Sequence, residues 1–271
     1  MAYVYPGAGA PEDAACRYGN SRLIFRGPQR DTRGQYCVVL GGTETYGRYV
    51  ARPFPDLIEQ ALGVPVVNLG LPNAGLDAFV QDADVMHMVA GARAVVIQVL
   101  GAQNVSNRFY PVHPRRNDRF LGAHAGLRAL FPEVDFTEFN FTRHMLQSLY
   151  RTSPERFGVL AAELRMVWLE RMKTLLAQAQ RPILLWAAPV APLRETGRLE
   201  DRVYPTLVTA AMMEQVRPLA TAYAEVLVKA DAHAMSSGLP MIVDPASAGT
   251  PGPVAHAQIT RALVPLLQEV V

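Results

Sequence analysis

Short apolar runs alternate with helix-like segments along most of the chain, and this alternation is the strongest constraint on its fold. The first three runs are Tyr36–Leu40, Val64–Gly70 and Ala94–Gly101, and each leads into or ends on a glycine. The third run, AVVIQVLG, is almost continuously apolar, which is typical of a parallel strand covered on both faces. Strands that alternate with helices predict a parallel sheet between two layers of helices.

The remaining segments extend the same pattern. Helical spacing of apolar residues predicts helices over 52–63, 75–92, 154–180, 206–238 (bent near Pro218) and 253–271. Further strands are predicted over 181–189 and 240–244. We therefore predict a three-layer α/β/α domain with a central parallel sheet of about five strands.

Two regions interrupt the alternation. Residues 1–34 are rich in Pro, Gly and Arg, and they are predicted to form an irregular arm on the surface of the domain. Residues 102–157 carry Pro, Arg, Asn and aromatic residues, which indicates an insertion or lid over the sheet. A length of 271 residues with 50% hydrophobic content fits one domain, residues 35–271, better than two.

Charge and composition argue against several classes of partner. The net charge of +2 gives no strong field for nucleic acid or a membrane surface, and we expect neither as a partner. The N-terminal residues lack the pattern of a secretory signal, and no apolar run is long enough for a membrane helix, so a cytoplasmic protein is expected. The scattered histidines and two cysteines have no metal-site spacing, so neither a metal nor another cofactor is expected.

The segment GGTETYG, residues 41–47, follows the first predicted strand. It is neither a P-loop nor a dinucleotide fingerprint, and Glu44 would repel a phosphate. A strand, a glycine, a hydroxyl residue and a helix in this order present the hydroxyl, here Thr43, above the sheet. Ligands of parallel sheets bind beyond the carboxyl ends of the strands, so we expect the functional site here.

The order of these segments resembles the SGNH (GDSL-type) hydrolases. Gly41-Gly42-Thr43 stands where that family has Gly-Asp-Ser, and VVNLGLPNAGLD is similar to its second block, with Gly75 as the best match for an oxyanion-hole glycine. The segment VLGAQNVSN is similar to its third block and offers Asn104. The whole string also resembles an uncharacterised bacterial domain family that shares GGTETYG, and this second likeness implies no activity.

The resemblance implies a nucleophile at Thr43, a base at His256 oriented by Asp244, and oxyanion donors from Gly75 and Asn104. The last block departs from the family, because Ser247 stands three residues after Asp244 where the family has histidine. Threonine is also a more crowded nucleophile than serine. In the alternative interpretation, Thr43 bonds the backbone of the turn and His256 caps or lines the closing helix.

Polar residues of the first turn and of the insertion are candidates for ligand binding. Glu44 is either a general base or a residue that is solvated or paired with an arginine. The insertion carries Arg108, His113, Arg115 and Arg116, which could hold an anionic or sugar-like ligand. The alternatives are an arginine cluster paired with acidic residues of the same region, or an oligomer contact; those acidic residues are Glu133, Asp135 and Glu138.

Two functions from different classes follow. The first is an SGNH-like ester hydrolase or acyltransferase acting on a small-molecule or saccharide ester, such as an O-acylated saccharide. The second is a catalytically inactive domain of the same fold that binds an anionic saccharide or a protein partner through the arginine-rich insertion. The altered last block favours the second, and the retained Gly75 and Asn104 favour the first.

Overall fold

A computed structural model describes residues 15–194, 205–228 and 251–271. Its main sheet has five parallel strands in the order β2-β1-β3-β6-β7, and a two-stranded antiparallel hairpin joins β4 and β5. The strands are β1 (Cys37–Gly41), β2 (Val66–Gly70), β3 (Ala94–Gln98), β4 (Val112–His113), β5 (Arg116–Phe120), β6 (Pro182–Ala188) and β7 (Ala222–Leu227).

Helices cover both faces of the main sheet. They are α1 (Thr43–Tyr46), α2 (Phe54–Leu62), α3 (Asp77–Val80), α4 (Ala83–Gly91), α5 (Ala125–Leu130), α6 (Thr142–Thr152), α7 (Pro154–Gln178), α8 (Ala210–Val216) and α9 (Pro253–Gln268), with 3-10 turns at Phe136–Glu138 and Arg217–Leu219. Alternate residues of β1 enter different cores: Val38 packs with α4 and α7, and Val39 packs with α2 and α9. The predicted α/β/α fold with a parallel five-stranded sheet is therefore confirmed.

The last part of the sheet differs from the sequence prediction. The helix predicted over 206–238 ends at Val216, and residues 222–227 form β7 beside β6. The interpretation was wrong because Pro218 lacks an N–H and ends the helix in a 3-10 turn rather than bending it. The strand predicted over 240–244 lies outside the described residues.

The predicted helix over 75–92 is two helices rather than one. Helix α3 ends before Gln81, and the side chain of Asp82 accepts a hydrogen bond from the N–H of Val85 at 3.0 Å to begin α4. An aspartate at this position competes with the continuing helix by capping a new one.

The described part of the N-terminal arm contributes to the core, whereas a surface position was expected. Cys16 and Phe25 pair as a β-bridge, and Phe25 has no exposed surface. Tyr18 and Leu23 are also buried in the core on the α4 side of the sheet. Burial removes the apolar surface of these aromatic and aliphatic side chains from water, which stabilises the segment in the core although its backbone is irregular.

Arg26 of the arm holds the loop that follows α1. Its guanidinium donates to the backbone carbonyls of Tyr46 at 3.3 Å, Val50 at 2.9 Å and Ala51 at 3.0 Å, and also to that of Gly47. Charged donors of this kind make stronger hydrogen bonds than neutral ones. The arm therefore fixes the backbone just after Thr43.

Within the described ranges, no helix combines the length and the apolar character needed to cross a lipid bilayer.

The buried arm generates a stability prediction. Phe25→Ala is expected to lower the free energy of unfolding by about 3–5 kcal/mol, since it leaves a cavity in the core. The neighbouring Ile24 is 50% exposed, and Ile24→Ala is expected to change that free energy by only about 0.5 kcal/mol. Urea denaturation of both variants measures this, and equal effects of the two substitutions would contradict the packing of the arm.

Candidate functional site

Thr43 begins α1 directly beyond the carboxyl end of β1, where the sequence places it. Its Oγ1 accepts a hydrogen bond from the backbone N–H of Asn73 at 3.1 Å. Asn73 follows β2 and has a φ of 56°, in the left-handed region that few residues besides glycine and asparagine adopt. Asn73 therefore combines a left-handed backbone with an N–H that reaches the Thr43 hydroxyl.

Asn104 joins the same cluster from the loop after β3. Its Nδ2 donates to the carbonyl of Asn73 at 3.0 Å, and its Oδ1 accepts from Oγ1 of Thr142 at 2.6 Å. The side chain is 5% exposed, so these bonds fix a carboxamide that solvent scarcely reaches. Loops from three neighbouring strands thus meet at Thr43, Asn73 and Asn104.

Gly75 lies in this cluster, but its N–H is used elsewhere. It donates to Oδ1 of Asn117 at 3.0 Å. A Cβ at Gly75 would lie 1.7 Å from the backbone oxygen of Asn104, so glycine is required by close packing of the two loops. The sequence-based expectation gave Gly75 the N–H of an oxyanion hole, whereas the N–H that reaches Thr43 belongs to Asn73.

Glu44 is bound to the sheet rather than to an arginine. Its Oε2 accepts from Nε2 of Gln98 at 2.9 Å, and burial raises the pKa of the Glu44 carboxyl above its usual value. The carboxamide oxygen of Gln98 accepts from the N–H of Gly42 at 3.0 Å and from Oγ1 of Thr45 at 2.6 Å. Gln98 at the end of β3 therefore fixes the turn that follows β1, including the backbone on both sides of Thr43.

His256 lies in the first turn of α9 and is 1% exposed. Its Nδ1 accepts the N–H of Phe54, the first residue of α2, at 2.9 Å. Burial, together with the positive charge of Arg26, lowers the pKa of His256 to about 4. In this geometry the imidazole is neutral and caps the N-terminus of α2, whereas the sequence-based alternative had it cap or line the closing helix, α9.

Thr43 and His256 nevertheless border the same small cleft. It is also lined by Glu44, Arg48 and Pro251. The Nδ1 lone pair of His256 is directed to Phe54, so the ring offers Thr43 no acceptor at that atom. Asp244, the third member of the triad implied by the resemblance, lies outside the described residues.

The arginine-rich segment divides into a structural part and an exposed part. Arg108 is paired with the buried Glu163 at 3.1 Å and lies over the ring of Phe109. The predicted partner Glu133 is instead bound by Arg156 of α7.

The exposed part is the insertion hairpin, residues 112–120. Nδ1 of His113 accepts from the N–H of Arg115 at 3.2 Å. Arg115 and Arg116 at the tip are exposed, and neither forms a salt bridge with any residue in the described ranges.

Sequence reasoning missed the residues that dock this hairpin on the site. Oδ1 of Asn117 accepts from the N–H of Gly75 and of Ala78, both at 3.0 Å. Oδ2 of Asp118 lies 3.5 Å from Nδ2 of Asn73. Asn73, in the sequence PNAG, is of a residue type that favours left-handed turns, so its conformation could have been predicted. No local pattern marks Asn117 or Asp118.

In the part of the chain that the structure describes, no group of three or more His, Cys, Asp or Glu side chains is placed to hold a metal ion.

Comparison with family models gives one match, which spans residues 1–271: the domain of unknown function DUF6473. The chain belongs to this family. No curated protein matches the sequence.

Solved structures similar to this DUF6473 domain include three esterases and lipases. An extracellular lipase from Streptomyces rimosus is 12% identical, with 88% of this chain and 100% of that chain covered and a TM-score of 0.43. A phospholipase A1 from Streptomyces albidoflavus is 10% identical, with 88% and 99% covered and a TM-score of 0.44. A catalytic mutant of an acetylxylan esterase from Geobacillus stearothermophilus is 13% identical, with 88% and 94% covered and a TM-score of 0.42.

These likenesses are too distant to assign an activity or a catalytic residue. The sheet order β2-β1-β3-β6-β7 and the flanking helices make the DUF6473 domain a three-layer α/β/α fold. What its site can do chemically follows from its own atoms: a hydroxyl at a strand end, a backbone N–H aimed at it, and a fixed carboxamide beside that N–H.

The buried, neutral His256 makes stability depend on pH. Its pKa in the folded protein, about 4, lies below the value of about 6.5 in the unfolded chain, so the unfolded chain binds a proton first as pH falls. The stabilisation is therefore present above about pH 6.5 and is lost on acidification towards pH 4. Between pH 7 and pH 5, wild type is expected to lose about 2 kcal/mol more than His256→Gln, which removes the titrating group.

Urea denaturation at both pH values measures this difference. His87 is exposed on α4, so His87→Gln should follow wild type. A His256→Gln variant with the same pH dependence as wild type would contradict the buried neutral imidazole.

Proposed function

We propose that this domain is an SGNH-like ester hydrolase or acyltransferase in which Thr43 is the nucleophile. The observation that carries the proposal is the 3.1 Å hydrogen bond from the Asn73 N–H to Thr43 Oγ1. When Thr43 Oγ1 attacks an ester, this N–H passes from Oγ1 to the neighbouring carbonyl oxygen, where the negative charge develops. Asn104 contributes a second donor group from the neighbouring loop.

In the proposed reaction, the Thr43 hydroxyl oxygen attacks the ester carbonyl and the alcohol leaves, which gives an acyl-threonine. Water then releases the acyl group as an acid, or an acceptor hydroxyl takes it in a transfer reaction. The Asn73 N–H and the Asn104 carboxamide stabilise the tetrahedral intermediates of both steps. Gly75 supports the site by allowing the close approach of the two loops that carry these donors.

The sequence-based hypothesis gives the proton of Thr43 to His256, with Asp244 orienting the ring. For this role, His256 must release the N–H of Phe54 and its hydrogen bond to the backbone of Pro251, and then present a free ring nitrogen to Thr43 across their common cleft. Glu44 borders the same cleft, and burial raises the pKa of its carboxyl, which brings it closer to that of a general base. Adjacent residues of a helix point in different directions, which makes Glu44 the weaker candidate.

We propose a saccharide ester as the substrate class. The proposal is supported by the insertion hairpin, which carries His113, Arg115 and Arg116 and is bound through Asn117 to the segment that follows β2. These side chains offer several donors to the hydroxyl and carboxylate groups of a sugar.

Hydrolysis of p-nitrophenyl acetate tests the nucleophile. Thr43→Ala is expected to reduce turnover to background, since no hydroxyl remains at the end of β1. Thr43→Ser is expected to retain or increase turnover, because it keeps the oxygen and removes the crowding methyl group. The control is Thr174→Ala on the exposed face of α7, where the hydroxyl bonds only the preceding turn.

The outcomes are distinct. Turnover that persists in Thr43→Ala, or absence of turnover by wild type on short acyl esters and acetylated xylo-oligosaccharides alike, would contradict the proposal. A loss of turnover in His256→Gln at neutral pH, with stability retained, would support His256 as the proton acceptor.

A second candidate function is binding of an anionic saccharide without catalysis. The observation that favours it is the exposure of Arg115 and Arg116, without a salt bridge to any residue of the described ranges, at the tip of a hairpin that is itself firmly docked. Carboxylate or sulfate groups are natural partners for two such guanidinium groups.

Calorimetric titration with tetragalacturonate tests this binding. The double substitution Arg115→Ser and Arg116→Ser is expected to weaken binding about 10-fold or more, and the effect should shrink at high salt. The double substitution Arg17→Ser and Arg22→Ser removes the same charge from exposed positions of the arm and is the matched control. Equal loss of affinity in both double variants would mean that only net charge matters, which would contradict a site on the hairpin.

A further inference from the structure

We propose that Asp118 is a positioning residue for the Thr43 site: it holds the Asn73 side chain so that the Asn73 N–H stays directed at the Thr43 hydroxyl. The inference rests on the proposed function for its effect on turnover, and on the geometry alone for its effect on Asn73. The insertion thereby supports the geometry of the Thr43 site, a role that was not predicted from the sequence.

The contact itself connects the hairpin to the site. Nδ2 of Asn73 lies 3.5 Å from Oδ2 of Asp118, at the long limit of a hydrogen bond. The backbone N–H of the same Asn73 donates to Thr43 Oγ1 at 3.1 Å, and its carbonyl accepts from Asn104 at 3.0 Å. Asp118 therefore acts on the one residue that bonds both other members of the cluster.

Asn73 needs such a restraint because of its backbone. A left-handed conformation costs a residue with a Cβ about 1–2 kcal/mol, although asparagine tolerates it better than most. Hydrogen bonds to its N–H, its carbonyl and its side chain together offset that cost. Removal of the side-chain bond is expected to let the peptide move away from Thr43.

Asp118 is in turn held on two sides. Its neighbour Asn117 binds two backbone N–H groups of the loop after β2. Oγ1 of Thr142, at the start of α6, lies 3.4 Å from the carbonyl of Asp118 and bonds the carboxamide of Asn104 at 2.6 Å. Asn117 and Thr142, both uncharged, thus fix the backbone that carries the Asp118 carboxylate.

The charge state of Asp118 can be measured. Burial raises the pKa of the Asp118 carboxyl above its usual value, and Arg119 and Arg116 of the same strand partly oppose this. Across from it, the loop after β2 presents the neutral Asn73 and α6 presents the neutral Thr142. Within the described residues, the two arginines are therefore the charged groups that act most directly on its titration.

The first experiment is the pH profile of kcat and KM for p-nitrophenyl acetate. Protonation of Asp118 weakens the bond from Asn73, so kcat of wild type should fall on acidification, at a pH above the usual aspartate pKa. Asp118→Asn keeps an acceptor oxygen and should lose this acid limb, whereas Asp118→Ala should lower kcat about 10-fold with little change in KM. Asp31→Asn, in an exposed pair with Arg33, is the matched control and should keep the wild-type profile.

The second experiment does not require turnover. In the full-length protein labelled with ¹⁵N-asparagine, the backbone amide signal of Asn73 should shift with pH in wild type and in Asp31→Asn, but not in Asp118→Asn. Absence of this titration in wild type, or its persistence in Asp118→Asn, would overturn the inference whatever the enzyme activity. Titration without turnover in any variant would support the positioning contact and contradict the proposed reaction.

Discussion

The peptide of Asn73 is the point on which the rest of the site depends. Its N–H bonds the hydroxyl of Thr43, and its carbonyl bonds the carboxamide of Asn104. These contacts join loops from β1, β2 and β3, which are neighbours in the sheet. Because the strands are parallel, all three loops leave the sheet at the same edge, and a single left-handed residue is enough to connect them.

Two side chains, Gln98 and Arg26, fix the turn that follows β1 and carries Thr43. Gln98 satisfies the N–H of Gly42, the hydroxyl of Thr45 and the carboxylate of Glu44 at once. On the other side, Arg26 binds the carbonyls after α1. Hydrogen bonds from buried polar groups favour one backbone arrangement, since each arrangement that breaks them carries a desolvation cost. Thr43 is thereby presented at a defined position even though its turn is short.

His256 has a structural role and also borders the candidate site. Its position at the start of α9 brings it to the cleft that Thr43 also lines. Its Nδ1 nevertheless accepts the N–H of Phe54, one of the unpaired donors at the N-terminus of α2. The capping bond links α2 to α9. The same Nδ1 cannot accept a proton from Thr43 while it accepts the N–H of Phe54.

Much of the fold could be predicted from the sequence because it follows from local patterns. The strands β1, β2, β3 and β6 and the long helix α7 are marked by apolar periodicity, which acts over a few residues. Residues 222–227 were predicted as helix but form a strand, because Pro218 ends the helix before them and pairing with β6, which no local pattern shows, makes them a strand. The burial of Phe25 was missed for the same reason, since its contacts come from distant parts of the chain.

The site divides in the same way. By itself, the sequence determined that a hydroxyl, Thr43, stands at the end of the first strand, and that Gly75 and Asn104 lie in the two neighbouring loops. Only the tertiary structure decided which N–H reaches that hydroxyl, which nitrogen of His256 is occupied, and that Asp118 of the insertion faces Asn73. Those choices depend on hydrogen bonds only a few ångströms long between residues as far apart as 202 positions, which no spacing along the chain encodes.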